Sequence, residues 1–348
     1  MNVSDFDFDL PSDLIAQFPA PERGAARLLV LDRAAGTWTH SSVSALPDLF
    51  APGDLVVVND TRVFPARLLG RRMPSGGVVE CFLIAHVAGD RWEALVHPGQ
   101  KLKPGALARF EAEGVTLWAE ILERRFHGRR EIRLWREDGG DVDEAVDRIG
   151  HVPLPPYIRR PDEPLDRERY QTVYARTRGS VAAPTAGLHL GERLLDDLHQ
   201  RGIERTAITL RIGYGTFKPV RSERVEDHTV DPEWIDIGEP AAESIGRAIR
   251  ERRRVVAVGT TTTRALESAA RAGAGAIGAL AQPTDLFIYP GFEFRVVGAL
   301  LTNFHLPRSS LLMLVAAFAG RDLVLAAYRD AVARRYRFYS YGDAMLVL

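Results

Sequence analysis

Between residues 61 and 135 the chain changes from apolar to turn-forming and back too often for helices to fit. Segments 78–87, 91–96, 106–110, 115–122 and 130–135 carry strand patterns, and tight clusters such as Ala88-Gly89-Asp90 and Pro104-Gly105 separate them. Connections this short leave no room for a crossover helix, so neighbouring strands must pair antiparallel. A run of such strands closes most economically as a small barrel. The rest of the chain reads differently. A short helix over 141–148 ends at Gly150, and strands and helices then alternate: helix 191–200, strand 205–212, helix 240–252, strand Val255–Val258, helix 263–272 and helix 309–318. That alternation is the mark of an α/β sheet with flanking helices. Ahead of the barrel, Ser12 opens a helix that stops before Pro19, a hairpin pairs Arg27–Asp32 with 37–40, and Leu55–Asn59 is a hydrophobic strand of the kind a buried sheet requires. If Leu55–Asn59 joins the later sheet, the barrel is an insertion. The expected organisation is a discontinuous α/β domain, 1–60 with 150–348, interrupted by a barrel domain at 61–149.

Two turns stand out within the α/β part. Pro184-Thr-Ala-Gly-Leu-His189 and Leu301-Thr-Asn-Phe-His-Leu-Pro307 each set one histidine among small and polar residues between apolar segments, where packing gives no reason for an imidazole. Loops held between rigid elements are where reactive groups concentrate. His189 and His305 are therefore the first candidates for proton transfer, with Thr185, Gly187 and Asn303 as cofactor-binding neighbours. Val255-Val-Ala-Val-Gly-Thr-Thr-Thr-Thr263 is a strand, a glycine turn and a hydroxyl-rich helix start. Gly259, Thr260 and Thr261 stand where a helix dipole favours an anion, although plain helix capping accounts for one or two of the threonines. Ile212-Gly-Tyr-Gly-Thr-Phe-Lys218 places Gly213, Gly215 and Thr216 after a strand, where a ligand can approach the backbone or an aromatic side chain can simply pack. Neither loop has the spacing of a dinucleotide fold or the lysine of a P-loop.

Charge and cysteine usage remove whole classes. With a formal charge of −1 the chain does not hold nucleic acid by bulk positive charge, so any polyanion is met by local patches such as the arginine runs at 124–133, 250–254 and 334–337. Arg129, Arg130 and Arg253 are the candidates for contact with RNA. Cys81 is the single cysteine, which excludes an internal disulfide and a cluster held by several thiolates of one chain. The nine histidines form no metal-binding pattern, and no metal is assigned. The acidic stretch 1–9 lacks the features of a signal peptide, and the longest apolar run, 311–319, is about half a membrane span. A cytoplasmic protein is expected.

Taken together, these segments resemble the S-adenosylmethionine:tRNA ribosyltransferase-isomerase family. The resemblance runs through Phe6-Asp-Phe-Asp-Leu-Pro11, Val58-Asn-Asp-Thr-Arg-Val63, Gly150-His-Val-Pro-Leu-Pro-Pro-Tyr157, Tyr170-Gln-Thr-Val-Tyr174, the stretch from Val181 to His189, Gly213 to Phe217, Leu301 to Pro307 and Tyr339-Ser-Tyr-Gly-Asp-Ala-Met345. It implies an α/β domain interrupted by a small β-barrel. It also implies an enzyme that moves the ribosyl unit of S-adenosylmethionine to 7-aminomethyl-7-deazaguanine in tRNA and isomerises it, giving epoxyqueuosine and releasing adenine and methionine. S-adenosylmethionine is then the ribosyl-donor substrate, with no permanently bound cofactor. Of the family's His-x-Met-His-x-Glu string this chain keeps His228 and Glu233, which the resemblance makes catalytic candidates, and has Asp231 in place of the second histidine. Two further departures are Arg211, where histidine is common, and Gly298, where an acidic residue is expected. An RNA methyltransferase with Gly213-Tyr-Gly215 as its cofactor turn, and a ribosyltransferase with a related substrate, remain open alternatives.

Overall fold

A computed structural model describes residues 1–348, the side chains of His127 and Phe217 excepted. The opening hairpin β1 (Arg27–Asp32) and β2 (Thr37–Ser42) leads through the helical turn α1 (Leu46–Leu49) into β3 (Leu55–Asn59). Immediately after it come β4 (Thr61–Val63) and then six strands: β5 (Arg67–Met73), β6 (Val78–Ala88), β7 (Arg91–His97), β8 (Leu107–Ala112), β9 (Val115–Arg124) and β10 (Arg129–Arg136). These six close antiparallel in the order β10-β7-β6-β5-β8-β9, with Leu68, Cys81, Leu83, Phe110, Leu117 and Leu134 buried in the barrel core. Helix α2 (Val142–Ile149) adds Val146 and Ile149 to that core. The chain returns through α3 (Pro164–Arg169) and β11 (Thr177–Ser180), which pairs parallel with β4.

From there the alternation expected of an α/β layer begins: α4 (Glu192–Gln200), β12 (Glu204–Arg211), β13 (Glu233–Ile237), α5 (Glu239–Arg250), β14 (Val255–Val258), α6 (Thr260–Ala272), β15 (Leu280–Thr284), β16 (Ala299–Asn303), α7 (Ser310–Ala319), α8 (Arg321–Ala333) and β17 (Ala344–Val347). The sheet has nine strands in the order β15-β13-β12-β3-β14-β16-β17-β1-β2, parallel from β12 to β16 and antiparallel at both edges. Alternate residues of β3 serve opposite faces. Leu55 and Val57 join the core beneath α5, α6, α7 and α8, while Val56 and Val58 join the core beneath α1 and α4. Both faces are covered, which is why β3, β14 and β16 are buried at every position.

Several sequence expectations change. The helix expected from Ser12 is a single 3₁₀ turn, Ser12–Leu14, because Ile15 bridges to Phe338 and the Ala16 N–H donates to the Phe338 carbonyl, pulling the chain into extended form. Helix α6 starts three residues earlier than its apolar spacing suggested. Strands β5, β13, β15 and β17 and helix α8 were not expected. No single helix is long and apolar enough to cross a membrane.

Helix α6 is fixed at mid-length by Glu267, whose buried carboxylate accepts the backbone N–H groups of Arg295, Val296 and Val297 at 2.9–3.0 Å. This ties α6 to the entry of β16, so two walls of the site described next share one anchor. Removing the carboxylate leaves three buried donors without a partner, each worth about 1–3 kcal/mol. Glu267→Ala is expected to lower unfolding stability by about 3 kcal/mol or more in denaturant titration, and a loss below about 1 kcal/mol would show that water replaces the carboxylate.

Candidate active site

The carboxyl ends of the parallel strands converge on one cleft, as ligand sites in open α/β sheets do. Ile212 and Thr216 follow β12, Gly259, Thr260 and Thr261 follow β14, and Thr302, Asn303 and His305 mark the end of β16. Thr185 enters from the 3₁₀ turn Thr185–His189, and Tyr157, Tyr170, Tyr339 and Ser340 close the far side. The empty volume among these residues, open solvent included, is about 570 Å³. Among the described residues that line it, His305 is the one imidazole, and there is no carboxylate, lysine or arginine.

The histidine neighbourhood is built around Asn303. Its Nδ2 donates to the Tyr339 carbonyl at 3.1 Å, which fixes the amide orientation, since only the NH2 group can face a carbonyl. The same Nδ2 meets His189 Nε2 at 3.1 Å, so that nitrogen accepts and the proton of the neutral ring sits on Nδ1. Asn303 Oδ1 is buried in the pocket wall with no partner among the described residues, an acceptor left for a ligand. His305 Nε2 lies 2.8 Å from Thr302 Oγ1, and its backbone N–H donates to the Tyr328 hydroxyl at 3.1 Å. Burial pushes both imidazoles down, His189 to about 4 against the pull of Asp343, and His305 to about 3. At neutral pH both rings are uncharged. His189 stands behind Asn303, whereas His305 reaches the cleft itself.

The four threonines divide their work. Thr262 Oγ1 donates to the Val258 carbonyl at 2.7 Å and Thr263 Oγ1 to the Gly259 carbonyl at 3.1 Å, which occupies both hydroxyls inside α6. Thr260 and Thr261 remain at the cleft, beside the unpaired N–H groups of the helix start. Gly259, at φ +94°, takes a backbone conformation that side chains rarely adopt and so delivers α6 to the pocket.

The remaining sequence candidates lie elsewhere. A Cβ on Gly187 would collide with the Tyr174 hydroxyl, and one on Gly215 would come 2.9 Å from Asp231 Cβ, so both glycines are packing requirements. Gly213 is open, on the rim of a wider groove between barrel and sheet. Glu233 is buried under that rim. Its Oε1 accepts the Gly213 N–H at 3.0 Å and the Thr216 hydroxyl at 3.3 Å, and Oε2 pairs with Arg264. His228 packs edge-on against Phe287 at 5.0 Å, lowered in pKa by burial, and lines neither the cleft nor the groove. Asp231 is paired with Lys218 and Arg129, which outweigh burial and hold its carboxyl below the usual range. Gly298 lies at the amino end of β16, at the opposite edge of the layer from Asn303.

The arginines separate too. Arg129 borders the groove, but Arg130 is buried, with its guanidinium on the carbonyls of Gly99, Gly128 and Arg129. Arg253 pairs with Glu204 and Glu251 and donates to the Gly53 carbonyl, at the amino end of the sheet. Neither is placed to meet a partner at the cleft. The tyrosines were missed as site residues. They lie in the strings that carry the family resemblance, yet no local spacing marks them as pocket-forming.

A mixed sheet with a cleft at the ends of its parallel strands, and a closed six-strand barrel beside it, defines an α/β protein with an added barrel. The family model described as queuosine biosynthesis protein matches residues 3–347. Curated relatives named S-adenosylmethionine:tRNA ribosyltransferase-isomerase include one from Heliobacterium modesticaldum, 50% identical with both chains wholly covered, and one from Anaeromyxobacter, 53% identical over 100% of this chain and 99% of its own. The crystal structure of an S-adenosylmethionine tRNA ribosyltransferase from Thermotoga maritima is 36% identical, covers 99% of this chain and 100% of its own, and superposes with a TM-score of 0.56. The chain belongs to the queuosine biosynthesis protein family.

The buried histidines carry a measurable signature. Each has a folded pKa below its unfolded value of about 6.5, so the unfolded state binds more protons as pH falls. Stability is complete above about 6.5 and declines below it, by up to about 1.4 kcal/mol per pH unit for each ring, until the folded pKa near 4 or 3 is reached. Denaturant titrations at pH 7.5 and 5 are expected to show a shallower loss for His305→Gln than for the unaltered protein. Parallel losses would mean that His305 is protonated in the folded state.

Proposed function

We infer that this chain transfers the ribosyl unit of S-adenosylmethionine to tRNA carrying 7-aminomethyl-7-deazaguanine and isomerises it, releasing adenine and methionine. The observation that carries the reading is identity of about half over the entire length to relatives of that name, with neither chain overhanging the other. The cleft supports it. The chemistry asks for a base to take a proton from the 5′ carbon beside the sulfonium, assistance to departing adenine, and shelter of the sugar intermediate from water. A pocket lined by uncharged side chains, with one imidazole on its wall that is unprotonated at neutral pH, is compatible with these demands.

The residues divide accordingly. Thr260, Thr261 and the α6 amino end receive the methionine carboxylate or the ribose hydroxyls, because hydroxyls and free N–H groups there face an anion. Asn303 Oδ1 accepts from a substrate N–H or O–H. His305 is the proton acceptor, and His189 holds Asn303 in place. Glu233 orders the Gly213–Thr216 turn and does not itself reach the cleft. Residues 61–149 form the inserted domain, and 1–60 with 150–348 the catalytic one. A tRNA substrate places the work in the cytoplasm. The methyltransferase alternative loses its motif, since Gly213 and Gly215 border the groove and do not line the cleft.

Two measurements test this. With S-adenosylmethionine labelled in the ribose, label is expected on the tRNA and free adenine and methionine in equal amounts, while a labelled methyl departs with methionine. Methyl label on the RNA with S-adenosylhomocysteine as co-product would falsify the reading. Among variants, His305→Ala is expected to lower turnover by about 10²- to 10⁴-fold with a cooperative melt retained. Thr260→Val is expected to raise KM for S-adenosylmethionine and leave KM for tRNA unchanged, and the reverse pattern would return the threonine loop to helix capping alone.

A further inference from the structure

The groove between barrel and sheet has an empty volume of about 1910 Å³ and takes no part in the roles assigned above beyond its floor at Glu233. Its sheet wall is set by pairing. Arg211 and Trp234 stand directly opposite each other in the β12–β13 ladder, so their side chains leave the same face. Trp234 is 42% exposed, and Arg211 is exposed without a carboxylate in ion-pairing range among the described residues. Across the groove the barrel offers Phe126, 89% exposed at the β9–β10 turn. An isolated phenyl ring this exposed gains nothing from the fold.

The other cations of the groove are neutralised at home. Arg125 pairs with Glu131, Arg129 and Lys218 with Asp231, and Arg178 with Asp147. The groove is therefore not the strongly positive track that duplex phosphates require. It offers flat π faces on two walls and one uncommitted guanidinium, the combination that recognises single-stranded nucleic acid by stacking. It also leads to the cleft. Gly215, Asp231 and Glu233 line both the groove and a small intermediate cavity, and that cavity shares Thr216 and Leu311 with the cleft.

We propose that the groove seats the unpaired loop of the acceptor RNA, with bases stacked on Phe126 and Trp234 and a phosphate on Arg211, and that the target base passes the Gly213–Thr216 turn towards the cleft. The proposal rests on the reading that the ribosyl acceptor is an RNA. It is tested by fluorescence anisotropy with a synthetic RNA hairpin and with the same RNA annealed into a continuous duplex. The protein is expected to prefer the hairpin. Phe126→Ala and Trp234→Ala are each expected to weaken hairpin binding by about 5- to 150-fold, the range for one lost base stack. Arg211→Gln is expected to reduce the log–log salt slope by about 0.7, one phosphate contact. Calorimetric binding of S-adenosylmethionine is expected to stay unchanged in all three. Equal affinity for hairpin and duplex, or a Phe126→Ala, Trp234→Ala double variant that binds the hairpin normally, overturns the groove. If that double variant binds normally while the unaltered protein releases adenine in the presence of tRNA, the ribosyl reading stands without the groove. If hairpin binding depends on both rings but no adenine is released, the groove stands and the ribosyl reading falls.

Discussion

Leu55–Asn59 pairs in parallel with β12 on one side and with β14 on the other. The partners come from residues 204–211 and 255–258, so the first sixth of the chain can be completed only by segments some 150 or more residues further on. Its register is held from both faces, because a slip of one residue would exchange Leu55 and Val57 with Val56 and Val58 between two separate cores. The direction of this strand decides where everything inserted after it must go. A chain leaving β3 emerges at the carboxyl ends of the parallel strands, where open α/β sheets hold their ligands. Asn59 locks the point of departure. Its amide exchanges hydrogen bonds with the backbone of Leu210, both at 3.0 Å, as a further ladder rung would. The barrel thus stands beside the cleft as a consequence of strand polarity.

The cleft and the groove represent opposite electrostatic regimes a few residues apart. The cleft is lined by side chains without formal charge, and burial keeps His305 on its wall and His189 behind Asn303 neutral well below their ordinary range. Its polar features are dipoles: threonine hydroxyls, one amide oxygen and the start of α6. Such dipoles act most strongly where water is excluded, and they need no counter-charge to be buried with them. The groove, open to solvent, keeps its charges and cancels most of them in pairs.

Much of this was legible from residue pattern. β1, β3 and β14 fall at the residues expected, and five of the six barrel strands differ by two residues or fewer at each end. The failures have local causes. β5 was hidden because Arg67-Leu-Leu-Gly-Arg-Arg-Met73 carries three arginines, and its Gly70 is the place where the β8 backbone at Arg109 passes too close for a side chain. β17 is only four residues long and is a strand because β1 and β16 flank it. The arginine runs misled for a related reason. A string of cations says nothing about which carboxylates or carbonyls the fold will bring to them, and Arg130 and Arg253 meet theirs inside the structure. The histidine turns were visible because they broke a pattern, whereas Tyr157, Tyr170 and Tyr339 converge from separate loops with no shared period.

Glu233 ties the groove to the cleft. It is the first residue of β13, next to Trp234 on the groove wall, and its carboxylate takes the N–H of Gly213 and the hydroxyl of Thr216 while pairing with Arg264 of α6. Thr216 lines the cleft, and α6 presents Thr260 and Thr261 to it. One buried carboxylate therefore joins the groove wall, the connecting turn and the helix that faces the cleft. An anion held so firmly is poorly suited to moving protons, because giving up its partners leaves several buried donors unmet. It is well suited to fixing position: Trp234 stands next to it on β13, and through Glu233 that strand is tied to the turn and helix that border the cleft. In this chain the last residue of that histidine-and-glutamate string is thus a structural link between the groove wall, the connecting turn and α6.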